Sequence, residues 1–306
     1  MAKILITESV HPIGPELLTA AGHTVVYADR DMDVIRREIV DADAVLVRII
    51  ELPGSLPATA KNLKIVSEHG VGYDNIDLDY CKSHGVAVTI TPNANSLSVA
   101  EHAFTLMLTL AKNIIPVSNE YRTVGFAAKN HAPGIEMTGK TLGLVGMGRI
   151  GKHVLHMCRD GLDMHVIVYD PYISEVPEGV EKVDDLSELL RRADIVTLHC
   201  LLTDETRKLI DRERLALMKP TALLINCARG PIVDEAALIE ALENGRLAGA
   251  GLDVTDPEPV APDSPLFKLP NVIVTPHYAP TTVESATRVS KIAAENINAV
   301  LAGQEP

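Results

Sequence analysis

The sequence predicts an α/β protein built from two doubly wound parallel-sheet domains. Three observations predict it. Short apolar runs alternate with segments of 3.6-residue periodicity, the pattern of βαβ units. The alternation breaks once, at the long apolar stretch "SVAEHAFTLMLTLAKNI", and then resumes. A glycine-rich turn, "KTLGLVGMGRIG", opens the second series. A length of 306 residues fits two domains at ~150 residues each.

The elements follow in order. "KILIT" reads as a strand, "IGPELLTAAG" as a helix closed by glycine, and "HTVVYA" as a strand. "MDVIRREIVDA" is helical and "AVLVR" a strand, followed by "KIVSEHG", the helical "DLDYCKSHG" and the strand "VAVTIT". The long apolar segment is a helix with Ser98 as its N-cap. From about Val117 to Met137 the chain is polar with little periodicity. The second series runs from "KTLGLVGMGRIG" to "NVIVTPH", and "TTVESATRVSKIAAENINAVLAG" is a closing amphipathic helix. No strand follows that helix, so it is expected to return to the first domain. The expected domains are residues 1–98 plus 282–306, and residues 99–281.

Composition narrows the partners. A net charge of -13 argues against nucleic acid and anionic membrane, while a local cationic cluster can still receive a small anion. Cys81, Cys158, Cys200 and Cys227 form no CxxC pair and no zinc spacing. They read as reduced thiols of a cytoplasmic protein, and no metal site is expected. "MAKILITES" reads as a first strand, too short in its apolar run for a signal peptide. No apolar run approaches the ~20 residues that span a bilayer.

The glycine turn carries the first chemistry. Gly146, Gly148 and Gly151 follow the strand Thr141–Val145 and open a helix, with Arg149 and Ile150 at its start. Such glycines let backbone approach a pyrophosphate at a helix N-terminus. About twenty residues on, "HVIVYDP" ends a strand at Asp170, where an acid binds the adenosine ribose hydroxyls. An acid there repels the 2′-phosphate of NADP, and "DPYISE" has no cation to reverse this, so NAD is the expected cofactor.

Three more segments end in polar residues at expected carboxyl ends of strands: "NCARG" with Arg229, "AGLDVTDPEP" with Asp253 and Glu258, and "VIVTPHYAP" with His277. Hydride transfer to a 2-keto acid needs a cation for the carboxylate, which a bidentate guanidinium suits. It needs a proton donor to the carbonyl oxygen, which histidine suits near neutral pH. A carboxylate beside the histidine stabilises imidazolium and orients the ring. Arg229, His277 and Glu258 supply this set.

These residues also carry a resemblance. "GVGYDNID", "NSLSVAEHA", "GKTLGLVGMGRIG", "NCARGPIVDEAAL", "GAGLDV", "PEP" and "NVIVTPH", in that order, resemble the D-isomer-specific 2-hydroxyacid dehydrogenases over nearly the whole chain. The resemblance implies two Rossmann-like domains with a cleft between them and a catalytic Arg229, Glu258 and His277. It implies that Arg149 and Ile150 lie at the pyrophosphate, and that Cys200, Cys227 and Ala228 surround the nicotinamide with Asp253 at its carboxamide. It implies a homodimer, with residues 117–137 falling at the dimer arm.

Within that family the chain is most similar to the members acting on 3-phosphoglycerate, which places an anion-binding role on Arg48 of "AVLVRII". Lys129 and Arg122 are further candidate cations. The backbone at Val71 and Gly72 is expected to hold the substrate carboxylate. The chain ends before the C-terminal regulatory domain of the longer family members, so feedback by that route is not expected. Leu201 in "HCLLT" stands where the family has proline, and "YAPTT" after His277 replaces a glycine-containing turn, so the substrate mouth can differ. Hydroxypyruvate, glyoxylate and D-lactate fit the same core set. The set also resembles NAD-sensing transcriptional corepressors, whose first domain binds short peptides, so a binding module is the other class of function left open.

Overall fold

The structure is a computed structural model that describes residues 1–131 and 133–306. The chain divides into two compact units, Met1–Asn95 with Pro280–Pro306, and Ser96–Ala279.

The first unit runs β1 (Lys3–Ile6), α1 (Ile13–Ala20), β2 (Thr24–Tyr27), α2 (Met32–Glu38), β3 (Ala44–Val47), β4 (Ile65–Glu68), α3 (Leu78–Ser83) and β5 (Ala87–Thr89). The sheet is parallel, in the order β2-β1-β3-β4-β5. Every residue of β3 and β4 is buried, because a parallel sheet is covered on both faces. One face packs Leu5, Val45, Val47 and Val66 with Ile35 and Ile39. The other packs Ile4, Ile6, Leu46 and Ile65 against Ala293, Ala294 and Ile297 of the last helix of the chain, Val283–Leu301. That helix also meets α1 closely. A Cβ at Gly14 would come within 2.4 Å of Ser290 Oγ, so the crossing depends on the missing side chain.

The second unit runs α4 (Ser96–Ala111), α5 (Ile114–Val124), β6 (Thr141–Val145), α6 (Arg149–Leu162), β7 (His165–Tyr169), β8 (Val180–Lys182), α7 (Leu186–Arg192), β9 (Ile195–Leu198), α8 (Arg212–Leu217), β10 (Leu223–Asn226), α9 (Glu235–Glu243), β11 (Gly249–Leu252) and β12 (Val272–Val274). The final helix is α10. The strands form a parallel sheet ordered β12-β11-β10-β9-β6-β7-β8. The chain order reverses at β6, between β7 and β9, and open α/β sheets bind ligands beyond the strand ends at such a point. Leu106, Met107, Leu142, Leu144, Val154 and Ile225 fill one face of the sheet. Leu189, Leu190, Val196, Leu198, Leu224 and Leu238 fill the other. Asp185, Asp211 and Asp234 cap α7, α8 and α9 through their carboxylates, a contribution of about 1 kcal/mol each.

Two local readings change. α4 begins at Ser96, so Ser98 lies inside it, buried, and is not its N-cap. The unperiodic stretch from Val117 contains much of α5 and a 3-10 helix, Gly125–Asn130. No residue of α5 is buried, so it has no apolar core stripe for periodicity to reveal.

Candidate active site

The second unit gathers the glycine turn, the acid after β7, and the ends of β9 to β12. Gly146 closes β6 with φ of 89°, and a Cβ there would lie 2.8 Å from Cys200 N. Gly151 sits in the first turn of α6, where a Cβ would lie 2.3 Å from Gly146 O. Gly148 is the N-cap of α6 and faces open space. Arg149 and Ile150 follow at the helix start, where amide donors and the helix dipole favour an anion. Asp170 closes the arrangement: its Oδ2 accepts the amide of Met147 at 2.9 Å, and its Oδ1 accepts that of Tyr172 at 2.9 Å. The acid and the glycine turn are therefore tied directly to each other. This donor set fits a dinucleotide, with space at Gly148 for phosphate and a fixed carboxylate for ribose.

At the end of β10 the chain passes through Cys227 and Ala228 to Arg229. Asn226, 1% exposed, holds this exit from both sides. Its Oδ1 accepts the Ala228 amide at 3.0 Å and its Nδ2 donates to Arg229 O at 2.9 Å. The Arg229 guanidinium is partly exposed, and its Nη1 donates to Ala228 O at 2.8 Å. Gly230 is packed so tightly that a Cβ would fall 1.9 Å from Thr255 O. Burial pushes the Cys227 thiol well above its usual range, and the Cys200 thiol up to about 11. Both are neutral walls rather than nucleophiles at physiological pH.

Asp253 follows β11 and is 1% exposed. Its Oδ1 accepts the Tyr278 amide at 2.7 Å and the Thr275 hydroxyl at 2.5 Å, and its Oδ2 accepts the Ala279 amide at 2.9 Å. His102 of α4 reaches the same cluster, with Nε2 3.0 Å from Thr275 Oγ1. Because Thr275 gives its proton to Asp253, the His102 Nε2–H is the donor in that contact. Between these anchors His277 adopts φ of 53°, a left-handed conformation that a non-glycine residue holds only at a cost of about 1–2 kcal/mol. Its amide donates to Asp253 O at 2.8 Å. Its Nδ1 lies 2.7 Å from Glu258 Oε1, with both side chains partly exposed. Glu258 thereby accepts the hydrogen bond of Nδ1–H and leaves Nε2 for a reacting group.

Asn226, Thr275 and His102 stand inside "NCARGPIVDEAAL", "NVIVTPH" and "NSLSVAEHA", but nothing local to those motifs assigns them a role. Each acts through a partner that the fold brings to it. Asn226, a polar residue closing the apolar run "LLIN", is the one local hint.

Arg48, Val71 and Gly72 lie in the first unit. Arg48 follows β3 and lines a cavity of about 160 Å³ with Ser9, His11, His69, Asn95 and Thr281. His69 Nε2 and Asn95 Oδ1 are buried and find no hydrogen-bond partner among the described residues. Burial and the charge of Arg48 push His69 down to about 4, so it is neutral at physiological pH. Val71 and Gly72 are partly exposed in the loop after β4. The amide and hydroxyl of Thr91 steady that loop by donating to Gly70 O at 2.7 and 3.0 Å.

Among the described residues, no three His, Cys, Asp or Glu side chains are grouped to hold a metal ion, and no helix is long and apolar enough to cross a membrane. All four cysteines are free thiols.

A parallel sheet with a glycine turn at its switch strand defines a dinucleotide-binding α/β protein. Residues 104–279 match the family model of the D-isomer specific 2-hydroxyacid dehydrogenase, NAD binding domain, and the chain belongs to that family. It is 42% identical to D-3-phosphoglycerate dehydrogenase of Methanocaldococcus jannaschii across 99% of this chain, and it spans 58% of that relative's length. It is 38% identical to glyoxylate reductase of Thermofilum pendens, covering 99% of this chain and 93% of that one. The solved D-lactate dehydrogenase of Aquifex aeolicus, complexed with NAD and lactic acid, superposes with a TM-score of 0.89 at 32% identity, covering 98% and 96% of the two chains.

Proposed function

We propose that this protein transfers hydride between NAD(H) and C2 of a small 2-hydroxy or 2-keto acid, with Arg229, Glu258 and His277 as its catalytic residues. The observation that carries this reading is the 2.7 Å contact of His277 Nδ1 with Glu258, in the same unit as Arg229 and the glycine turn. A nicotinamide bound there would supply or take the hydride. Arg229 holds the carboxylate and polarises the carbonyl through its two-pronged guanidinium. Protonated His277, stabilised by Glu258, gives its Nε2 proton to the carbonyl oxygen during reduction. In oxidation neutral His277 takes that proton back. Gly146, Gly148, Arg149, Ile150 and Gly151 receive the pyrophosphate, Asp170 the ribose, and Cys200, Cys227 and Ala228 line the ring. Asp253 spends its lone pairs largely on the His277 segment, so we assign it first to positioning His277 and only secondarily to the carboxamide.

For the substrate, Arg48 favours an acid with a second anionic group, 3-phosphoglycerate in type. The cationic cavity of the first unit supports this, and Val71 and Gly72 are the backbone positions we assign to the carboxylate. Hydroxypyruvate, glyoxylate and D-lactate are the alternatives. A homodimer is supported by the apolar side chains that α5 and its surroundings leave exposed, Ile114, Ile115, Tyr121, Val124 and Phe126. The free thiols suit the reducing cytoplasm.

The test is a panel of phosphohydroxypyruvate, hydroxypyruvate, glyoxylate and pyruvate with NADH and NADPH, comparing kcat/KM. Turnover with NADH and a preference for the phosphorylated acid, lost in Arg48→Ala, is the expected result. No oxidation of NADH with any of the four would overturn the reading. Equilibrium sedimentation tests the dimer.

A further inference from the structure

Resting on the dinucleotide reading, the structure carries one more assignment at the adenosine end. Tyr172 leaves 82% of its surface exposed, yet its hydroxyl is committed, donating to Glu205 Oε2 at 2.9 Å. The bond to Glu205 holds the Tyr172 hydroxyl above its ordinary titration range. Both ends of this contact stand on firm backbone. The Tyr172 amide is fixed by Asp170 Oδ1. Glu205 sits in a turn closed by Thr203 N to Thr206 Oγ1 at 2.7 Å, Arg207 N to Thr203 O at 2.9 Å and Thr206 Oγ1 to Leu201 O at 2.6 Å.

The two residues come from different loops. Tyr172 follows β7 and Glu205 follows β9, and the sheet places β6 between those strands. The contact therefore passes across the carboxyl end of β6, where the chain turns through Gly146–Gly151.

We propose that Tyr172 and Glu205 form a polar strap over the adenosine end of the dinucleotide slot, and that Glu205 is a second anionic determinant selecting against a 2′-phosphate. Asp170 is one unit charge, with both of its oxygens engaged by backbone amides. Glu205 receives a neutral phenol and keeps its full charge one tyrosine side chain away from the ribose acid. Asp204 adds the same sign; the turn also carries Arg207 and Lys208, of which Lys208 is paired with Asp234. A 2′-phosphate placed beside Asp170 meets this second carboxylate within about a Debye length, where repulsion still acts.

The experiment measures dissociation constants of NADH and NADPH, by fluorescence titration, for the parent protein, Glu205→Gln and Tyr172→Phe. The parent is expected to prefer NADH. Glu205→Gln should lower that preference about tenfold, the size of effect expected for removing one unit charge near a dianion. Tyr172→Phe should move the preference in the same direction but less, by releasing a carboxylate that remains charged. A preference ratio within twofold of the parent in Glu205→Gln, with NADH still bound, would overturn the strap alone. If the parent binds neither dinucleotide, the underlying reading falls together with it.

Discussion

The carboxylate of Asp253 accepts the backbone amide of Tyr278 at 2.7 Å, and with its bonds to Thr275 and Ala279 it clamps the segment on both sides of His277. An Asp253→Asn protein keeps the shape but replaces one accepting oxygen with a donor facing an amide. It should lose about 2–3 kcal/mol of stability, the range for charged hydrogen bonds left unmade in a buried site. Turnover should fall on the order of a hundredfold, because misplacing a reacting group by a fraction of its contact distance is that costly. Urea unfolding and kcat measured on the same preparation check both halves.

His277→Gln removes the proposed proton donor and keeps a side chain of similar reach. kcat should fall by about two to four orders of magnitude, the range for losing general acid–base catalysis, while the dissociation constant for NADH stays near the parent value. Unchanged kcat would remove His277 from the mechanism. Glu258→Gln should show a smaller loss in the same direction, since an amide cannot stabilise imidazolium.

Arg229→Lys retains the charge and loses the fork. The loss should be about 2 kcal/mol in kcat/KM, near thirtyfold, as for one charge-assisted hydrogen bond. Steady-state kinetics with the preferred keto acid, compared with Arg229→Ala, separates geometry from charge.

Gly230→Ala should be among the most damaging single-methyl additions in the chain. The new Cβ would lie 1.9 Å from the carbonyl oxygen of Thr255, which is backbone and cannot rotate away. Relief requires moving either the Arg229 exit or the segment between Asp253 and Glu258. A fall in thermal midpoint together with a raised KM is the expected outcome.

Two histidines set an acid limit on stability. Burial holds His199 down to about 3, and burial with Arg48 holds His69 down to about 4. Both lie below the ~6.5 of an unfolded histidine. Between these values the unfolded chain binds protons that the folded chain does not, so stability rises with pH. It is fully present above about 6.5 and declines as pH falls toward 4, at up to ~1.4 kcal/mol per pH unit for each histidine. Unfolding titrations at pH 7, 6 and 5 should show the decline, and His199→Asn should show a shallower one. Equal slopes in the two proteins would assign the effect to other groups.

Much of this molecule was legible from local pattern. Most strands of both sheets, the glycine turn at Gly146–Gly151 and the acid Asp170 could be read because each is encoded within about twenty residues. The exposed helix α5 was not legible, because periodicity reports the face a helix buries and α5 buries none. Ser98 was misplaced as a cap because a serine before an apolar run looks the same two residues inside a helix as at its start.

The sequence by itself determined which residue types close each strand: arginine after β10, aspartate after β11, histidine after β12. Only the tertiary structure decided which of them meet. His277 and Glu258 are 19 residues apart and touch because β12 lies beside β11, with Leu252 in register with Val274. The same register brings the Asp253 carboxylate to the amides of Tyr278 and Ala279, and the strand order brings Tyr172, after β7, to Glu205, after β9, across β6. Hydrophobic periodicity specifies an element and the face it buries. Which side chains meet across elements is set by strand order and register, which are properties of the assembled sheet.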